Sequence, residues 1–261
     1  MTCRIIADDY GMSAEVNTAI SELVCKNVIS KVSVMANDSF QYSPDDIKGA
    51  ETGLHVNLLS YAKGVGINPK TKLSPLKLLY FVVSGKMDIN KIMENIKLQH
   101  AILEQKGFKV SHMDTHQHVH IVPKILEALI SYARANRIGK IRCITMEPGH
   151  LFFYLSSLAR FGFMAQMPKI ILLYLAGILM KIKLDRVHIG YCKNLIVMPL
   201  AEGGDYEGFL NEMINRFKDS DAELVTHPAF EMNTDRLDDY TKGRYVEYCS
   251  LLKQGKVIHG Q

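Results

Sequence analysis

Short β-rich apolar runs alternate with longer stretches of helical spacing along the chain. The runs predict strands over Arg4–Ala7, Lys31–Ala36, Gly53–Leu58, Val110–Asp114, Lys140–Thr145, Asn194–Pro199 and Glu223–Thr226. Between the first two, Val16, Ile20, Leu23 and Val24 recur on one side of a helix over Ala14–Asn27. Ser13 is its expected N-cap, and Glu15 lies in its first turn. Ile89, Ile92, Ile96 and Leu103 mark a helix over Ile89–Lys106, with Asp88 and Gly107 as caps. Pro123–Asn136 opens on a proline suited to a first turn, and Tyr206–Phe217 and Tyr240–Lys253 follow the same style.

Strand–helix repetition over 261 residues predicts an α/β fold on a parallel sheet, either doubly wound or a barrel. Polar, metal-suited residues stand at the ends of the first, third, fourth and last strands. A barrel gathers such ends around one mouth, whereas an open sheet gathers only those beside its switch point. The first strand is followed by Asp8-Asp9-Tyr10-Gly11 and not by a glycine-rich phosphate loop. The expectation is a single TIM-like (β/α) barrel domain over residues 1–261, with an apolar helical insertion at about 151–185.

That insertion breaks the rhythm. Its run Ile170–Met180, bounded by Lys169 and Lys181, falls short of the roughly 20 residues that cross a bilayer. One reading is a buried helical pair or an interface in a homodimer. The other is a lid or membrane-surface helix handling a greasy or lipid-linked substrate, with Lys181, Lys183 and Arg186 beside it.

Composition narrows the class. The chain is 48% hydrophobic and 22% charged, which excludes a disordered or collagen-like protein. Its 31 Lys and Arg against 27 Asp and Glu leave +4 with no basic block, so nucleic acid is not an expected partner. Cys3, Cys25, Cys143, Cys192 and Cys249 form no CxxC pair and read as reduced, mostly buried thiols, which favours the cytosol. Asp8-Asp9 arrives before an apolar run can form, so no signal peptide is expected.

The ten histidines say more, because several cluster. In Ser111-His112-Met113-Asp114-Thr115-His116-Gln117-His118-Val119-His120, four histidines and an aspartate meet at a strand-to-helix junction. In extended geometry His116, His118 and His120 share a face and could converge on one ion or substrate, with Asp114 orienting an imidazole by accepting its other N–H. Asp8 and Asp9 read either as a metal ligand beside a general base or as a turn in which Asp9 caps the next helix. His55, in Gly53-Leu54-His55-Val56-Asn57-Leu58, is a structural histidine or a ligand. His227 is kept extended at its strand end by Pro228 and suits a general acid at a barrel mouth. Arg142 and Glu147 bind a polar substrate or pair with each other.

Taken together, these segments resemble the YdjC-like carbohydrate deacetylase family, which includes chitooligosaccharide deacetylases. The resemblance rests on Ile6-Ala7-Asp8-Asp9-Tyr10-Gly11-Met12-Ser13 with Asn17, on Gly53 to Leu58, on His112 to His120 with Pro123, and on Val225-Thr226-His227-Pro228-Ala229-Phe230. It implies a deformed (β/α) barrel that removes the acetyl group from an N-acetylated sugar. It also implies one divalent cation, zinc or magnesium, held by Asp9, His55 and His116, with Asp8 as general base and His227 as general acid. Gln117 stands where the family has the second histidine of a triple run, and Tyr10 where phenylalanine is common. Rival readings are an amidohydrolase or phosphoesterase barrel using His118 and His120 as a metal pair, and a catalytically silent protein that binds carbohydrate or membrane.

Overall fold

The computed structural model describes residues 3–37, 41–59, 61–62, 66–67, 73–230 and 240–259, excluding the side chains of 61–62, 66–67 and 255–259. All seven expected strands form: β1 (Arg4–Tyr10), β2 (Lys31–Val34), β3 (Glu51–Val56), β6 (His112–Thr115), β7 (Lys140–Ile141), β8 (Asn194–Val197) and β9 (Ala222–Thr226). A two-stranded hairpin, β4 (Tyr61–Ala62) and β5 (Gly66–Ile67), lies outside the main sheet. The helices are α1 (Ala14–Cys25), α2 (Pro75–Val83), α3 (Ile89–Gln105), α4 (Pro123–Ala135), α5 (Pro148–Arg160), α6 (Met167–Val187), α7 (Tyr206–Phe217) and α8 (Lys242–His259). Ser13 caps α1 by accepting from the Val16 N–H at 3.3 Å, and Asp88 caps α3 by accepting from the Lys91 N–H at 2.9 Å.

The main sheet is parallel and runs in the order β7-β6-β3-β2-β1-β9-β8. It curls into a half-barrel surrounded by helices, and its strands are buried on both faces, as parallel strands are. No β7–β8 ladder forms among the described residues, so the barrel is not fully closed. Its two edges approach each other where the Leu195 N–H donates to the Thr145 carbonyl at 2.8 Å and the Ile141 N–H to the Gly190 carbonyl at 3.0 Å.

Three local differences from the sequence expectation have clear causes. Strand β1 continues past Ala7 because a bulge between Ala7 and Tyr10 absorbs the irregular register against β2. The segment after β6 is not extended. Gln117 (φ 53°) and His118 (φ 55°) adopt left-handed backbone and coil His116–Ile121 into a short helical turn. Helix α2 has an almost unbroken apolar sequence with no polar face, and it buries only Leu78 and Val82. Of the cysteines, only Cys143 and Cys192 are buried, Cys25 being exposed.

The insertion is two helices, α5 and α6, and α6 lies very close to the end of β7. Gly177 makes that approach: a Cβ there would sit 1.6 Å from the Ile144 carbonyl oxygen. Gly177→Ala must push α6 away from the barrel, at an expected cost of about 1–3 kcal/mol. A lowered urea midpoint checks this, and an unchanged midpoint contradicts the close packing.

Candidate active site

The site begins with the β1 bulge. On a regular strand Asp8 and Asp9 would point to opposite faces. Here Asp9 sits at φ 72°, and both carboxylates reach the same buried centre. The next turn needs Gly11, whose φ is 95° and whose Cβ would lie 2.4 Å from the Met35 carbonyl oxygen. Asp9 is not the α1 cap, since Ser13 has that place.

His55 near the end of β3 and His116 just after β6 converge on Asp9. Asp9 Oδ1 lies 3.2 Å from His55 Nε2 and 3.0 Å from His116 Nδ1. Asp9, His55 and His116 each offer a donor atom, all mutually within 4.8 Å and buried. The other ring nitrogen of His55 lies 2.5 Å from Asp114 Oδ1, the arrangement that orients a ligating imidazole. This donor set, one carboxylate and two imidazoles with an oriented tautomer, fits a divalent cation. A second group, Asp8, His55 and Asp114, also gathers, but Arg142 already occupies both of its carboxylates.

The electrostatics match. Asp8, Asp9 and Asp114 are buried against two buried guanidiniums, Arg142 and Arg244. Burial works against the Asp9 charge, but Arg244 and the two imidazoles outweigh it and hold its carboxyl well below the usual range. For His55, burial opposes protonation, yet Asp114 and Asp8 push its pKa up to about 10. A field that favours a proton on His55 also favours a cation in its place.

Asp8 is clamped. Arg142 donates to its Oδ2 at 2.5 Å and its Oδ1 at 2.7 Å, and Nη2 also lies 2.7 Å from Asp114 Oδ2. Arg142 was expected to touch substrate or Glu147. Instead it is buried beneath the carboxylates, and Glu147 faces away at the start of α5, 3.6 Å from His150. His227 approaches Asp8 from the far side, with Nε2 3.9 Å from Oδ2.

Around these groups is a cavity of about 420 Å³. Asp8, Asp9, His116, His118 and His227 line it, together with Gln117, Lys169, Ile170, Leu173, Met198 and Glu202. His118 therefore reaches the cavity, whereas His120 turns inward to Thr115, its Nδ1 2.6 Å from Oγ1. The expected shared face of the three histidines does not form: the left-handed pair at Gln117 and His118 ends the extended geometry, so His116 and His118 line the cavity while His120, whose ring meets that of His118 edge-on at 6.1 Å, does not. His118 and His120 belong to neither candidate metal group among the described residues. Burial holds the pKa of both rings down, that of His120 to about 4.

Three site residues escaped the sequence reading. Arg244 donates to Asp9 Oδ2 at 2.6 Å and to the His227 carbonyl at 3.3 Å. Glu247 accepts from the His227 N–H at 2.6 Å and from the Tyr240 hydroxyl at 2.5 Å. A signal existed: Arg244, Glu247, Tyr248 and Leu251 repeat at helical spacing and all are buried, so two charges occupy core positions of α8.

A Danio rerio protein named carbohydrate deacetylase is 26% identical over 170 residues, covering 56% of this chain and 53% of that protein. A Serratia marcescens chitooligosaccharide deacetylase is 26% identical over 137 residues, covering 49% and 54%. The chain thus spans about half the length of the curated relatives it matches. A crystal structure from Enterococcus faecalis V583, of a protein described as a candidate for cellobiose-phosphate cleavage, superposes with a TM-score of 0.65 at 15% identity. It covers 99% of this chain and 94% of the other, a likeness of fold alone. The family model described as YdjC-like protein matches residues 4–255, from the first strand into the last helix and across every segment that builds the site. On that match the chain belongs to the YdjC-like protein family.

Proposed function

We propose that the protein hydrolyses the acetamide of an N-acetylated sugar, releasing acetate and a free amino sugar. The single observation that carries this reading is the juxtaposition of a clamped carboxylate, Asp8, with the Asp9–His55–His116 donor set at a cavity that Asp8, Asp9, His116 and His227 line. The carbohydrate deacetylases among the relatives supply the substrate class.

Asp9, His55 and His116 would hold a divalent cation, zinc or magnesium. Bound there, such a cation would supply Lewis acidity toward the acetamide carbonyl and the attacking water. Asp8, kept in place by both Arg142 nitrogens, accepts the proton from water as its oxygen bonds to the acetyl carbon. The resulting tetrahedral carbon collapses with cleavage of the C–N bond, and His227 delivers a proton to the departing nitrogen. Glu247, 3.9 Å from His227 Nδ1, steadies the protonated ring. His118 and Gln117, both on the cavity wall, would meet the sugar hydroxyls. Leu173 and Met198 supply an apolar wall. Arg142, buried beneath Asp8, is a positioning residue in this scheme.

The test is acetate release from N-acetylglucosamine, its oligomers and a lipid-linked analogue, with protein stripped of metal and re-supplied with zinc or magnesium. Metal-dependent release from any of them is the expected result. Silence across the panel with metal demonstrably bound, or turnover of phosphate esters instead, overturns the reading.

A further inference from the structure

Helix α6 is apolar on the face it buries and also on the face it shows to water. Ile170, Leu173, Tyr174, Gly177, Met180 and Leu184 pack inward. Ile171, Leu172, Leu175, Ile178, Leu179 and Ile182 are each at least 40% exposed, and their spacing forms one continuous stripe over three turns. Large apolar side chains scattered singly on a surface need no explanation, but a contiguous stripe does. Helix α2 repeats the pattern with Leu76, Leu79, Tyr80 and Val83 exposed. It is tied to α4 by Lys124 Nζ, which donates to the Val82 carbonyl at 3.2 Å, and α4 in turn packs on α6.

The charge is distributed to match. Residues 148–187 carry five Lys and Arg against a single acid, Asp185, and residues 75–87 carry two Lys and no acid. The chain as a whole is only +4, so everything outside these two segments is net acidic. Lys181 and Lys183 sit in ion pairs with Asp185 at 2.8 Å and Glu127 at 3.8 Å. Both pairs are exposed, and an anionic surface can exchange into them. Beside the stripe, between α5 and α6, lies a mainly apolar groove of about 690 Å³ lined by Leu151, Leu155, Leu175 and Ile178, with Lys181, Lys193 and Glu147 also on its wall.

From this coincidence of an uncovered apolar stripe with the chain's excess positive charge, we infer that the outward faces of α6 and α2 dock the protein on an anionic phospholipid bilayer. Apolar side chains enter the headgroup boundary, an acyl chain enters the α5–α6 groove, and the flanking lysines meet lipid phosphates. No helix among the described residues is long and apolar enough to cross a membrane, so α6 lies on the surface. The first turns of α6 also wall the catalytic cavity through Lys169, Ile170 and Leu173. Docking by this helix therefore places that cavity beside the lipid, within reach of an amphiphilic sugar.

Co-sedimentation of the full chain with phosphatidylglycerol/phosphatidylcholine vesicles, against pure phosphatidylcholine, tests this without any variant. Pelleting with the anionic vesicles, weakened by salt, is the expected result. Leu172→Glu combined with Leu179→Glu, both on the exposed stripe and outside the cavity, should weaken partitioning by at least about tenfold. Tyr245→Glu, an exposed aromatic on α8, should leave it unchanged. Acetate release from a water-soluble sugar reads the catalytic site separately and should survive in both variants. A chain that stays in the supernatant with anionic vesicles overturns the inference. So does equal pelleting with both vesicle types, or a solution dimer that the paired leucine substitutions dissociate, since a second copy would then cover the stripe.

Discussion

Asp8→Asn is expected to lower acetate release by about 10²–10⁴-fold, the range that positioned acid–base catalysis contributes, while the protein still binds its divalent metal. Asparagine keeps the shape of aspartate and one acceptor oxygen, so Arg142 retains a partner and the β1 bulge has no steric reason to relax. It removes the carboxylate that takes the proton from water in the proposed reaction. The Asp9–His55–His116 donors are untouched, and metal content measured on the purified variant should match the unaltered protein. Asp9→Asn supplies the contrast, because it should lose metal and activity together. Normal turnover by Asp8→Asn would remove Asp8 from the chemistry. Loss of metal along with turnover would shift Asp8 into the ligand set.

The largest effect on stability is expected at Arg142. Its guanidinium serves two buried carboxylates, 2.5 and 2.7 Å from the Asp8 oxygens and 2.7 Å from Asp114. Its side chain is 2% exposed, and those of Asp8 and Asp114 are 1% and 0%. Arg142→Met keeps much of the volume but strands both charges, and breaking a buried pair from one side costs about 3–5 kcal/mol. Urea unfolding at pH 7 with saturating metal should show that deficit, and Arg142→Lys, which keeps the charge without the fork, should show less.

The deficit has a defined pH dependence. Burial opposes the Asp114 charge, but Arg142 and His55 outweigh it and hold the carboxyl well below the usual range. A carboxyl depressed by folding contributes stability above its unfolded pKa and loses it as pH falls toward the folded value. The gap between Arg142→Met and the unaltered protein should therefore narrow as pH is lowered below the ordinary carboxylate range. A gap independent of pH would mean that Arg142 acts through packing alone.

Much of the site was legible because it is written in short, local segments. Asp8-Asp9, His55, the His112–His120 cluster and His227 each follow or end an apolar run, and a parallel sheet brings the ends of its strands together at one edge. Hydrophobic period likewise exposed the seven strands and the amphipathic helices, since a parallel strand is apolar throughout and a surface helix is apolar on one side. Helix α2 was missed for the same physical reason in reverse. It exposes Leu76, Leu79, Tyr80 and Val83, so its apolar residues do not trace a buried face.

What separates the remaining residues is conformation and distance along the chain. Asp8 and Asp9 share a site because of a bulge with Asp9 at φ 72°, and His120 stays off the cavity wall that His116 and His118 share because two successive residues adopt left-handed backbone. Neither torsion is implied by the identity of those residues. Arg142 looks like a substrate residue until Asp8, 134 positions earlier, is placed 2.5 Å away. Arg244 and Glu247 lie in an ordinary-looking helix until α8 brings them against Asp9 and His227. The sequence by itself determined the strand–helix order, the family and which chemical groups stand at the strand ends, because local period and residue type carry that information. Only the tertiary structure decided which carboxylate is clamped and which donors converge, and that the barrel stays open between β7 and β8. Those outcomes depend on torsions and long-range contacts that no local pattern encodes.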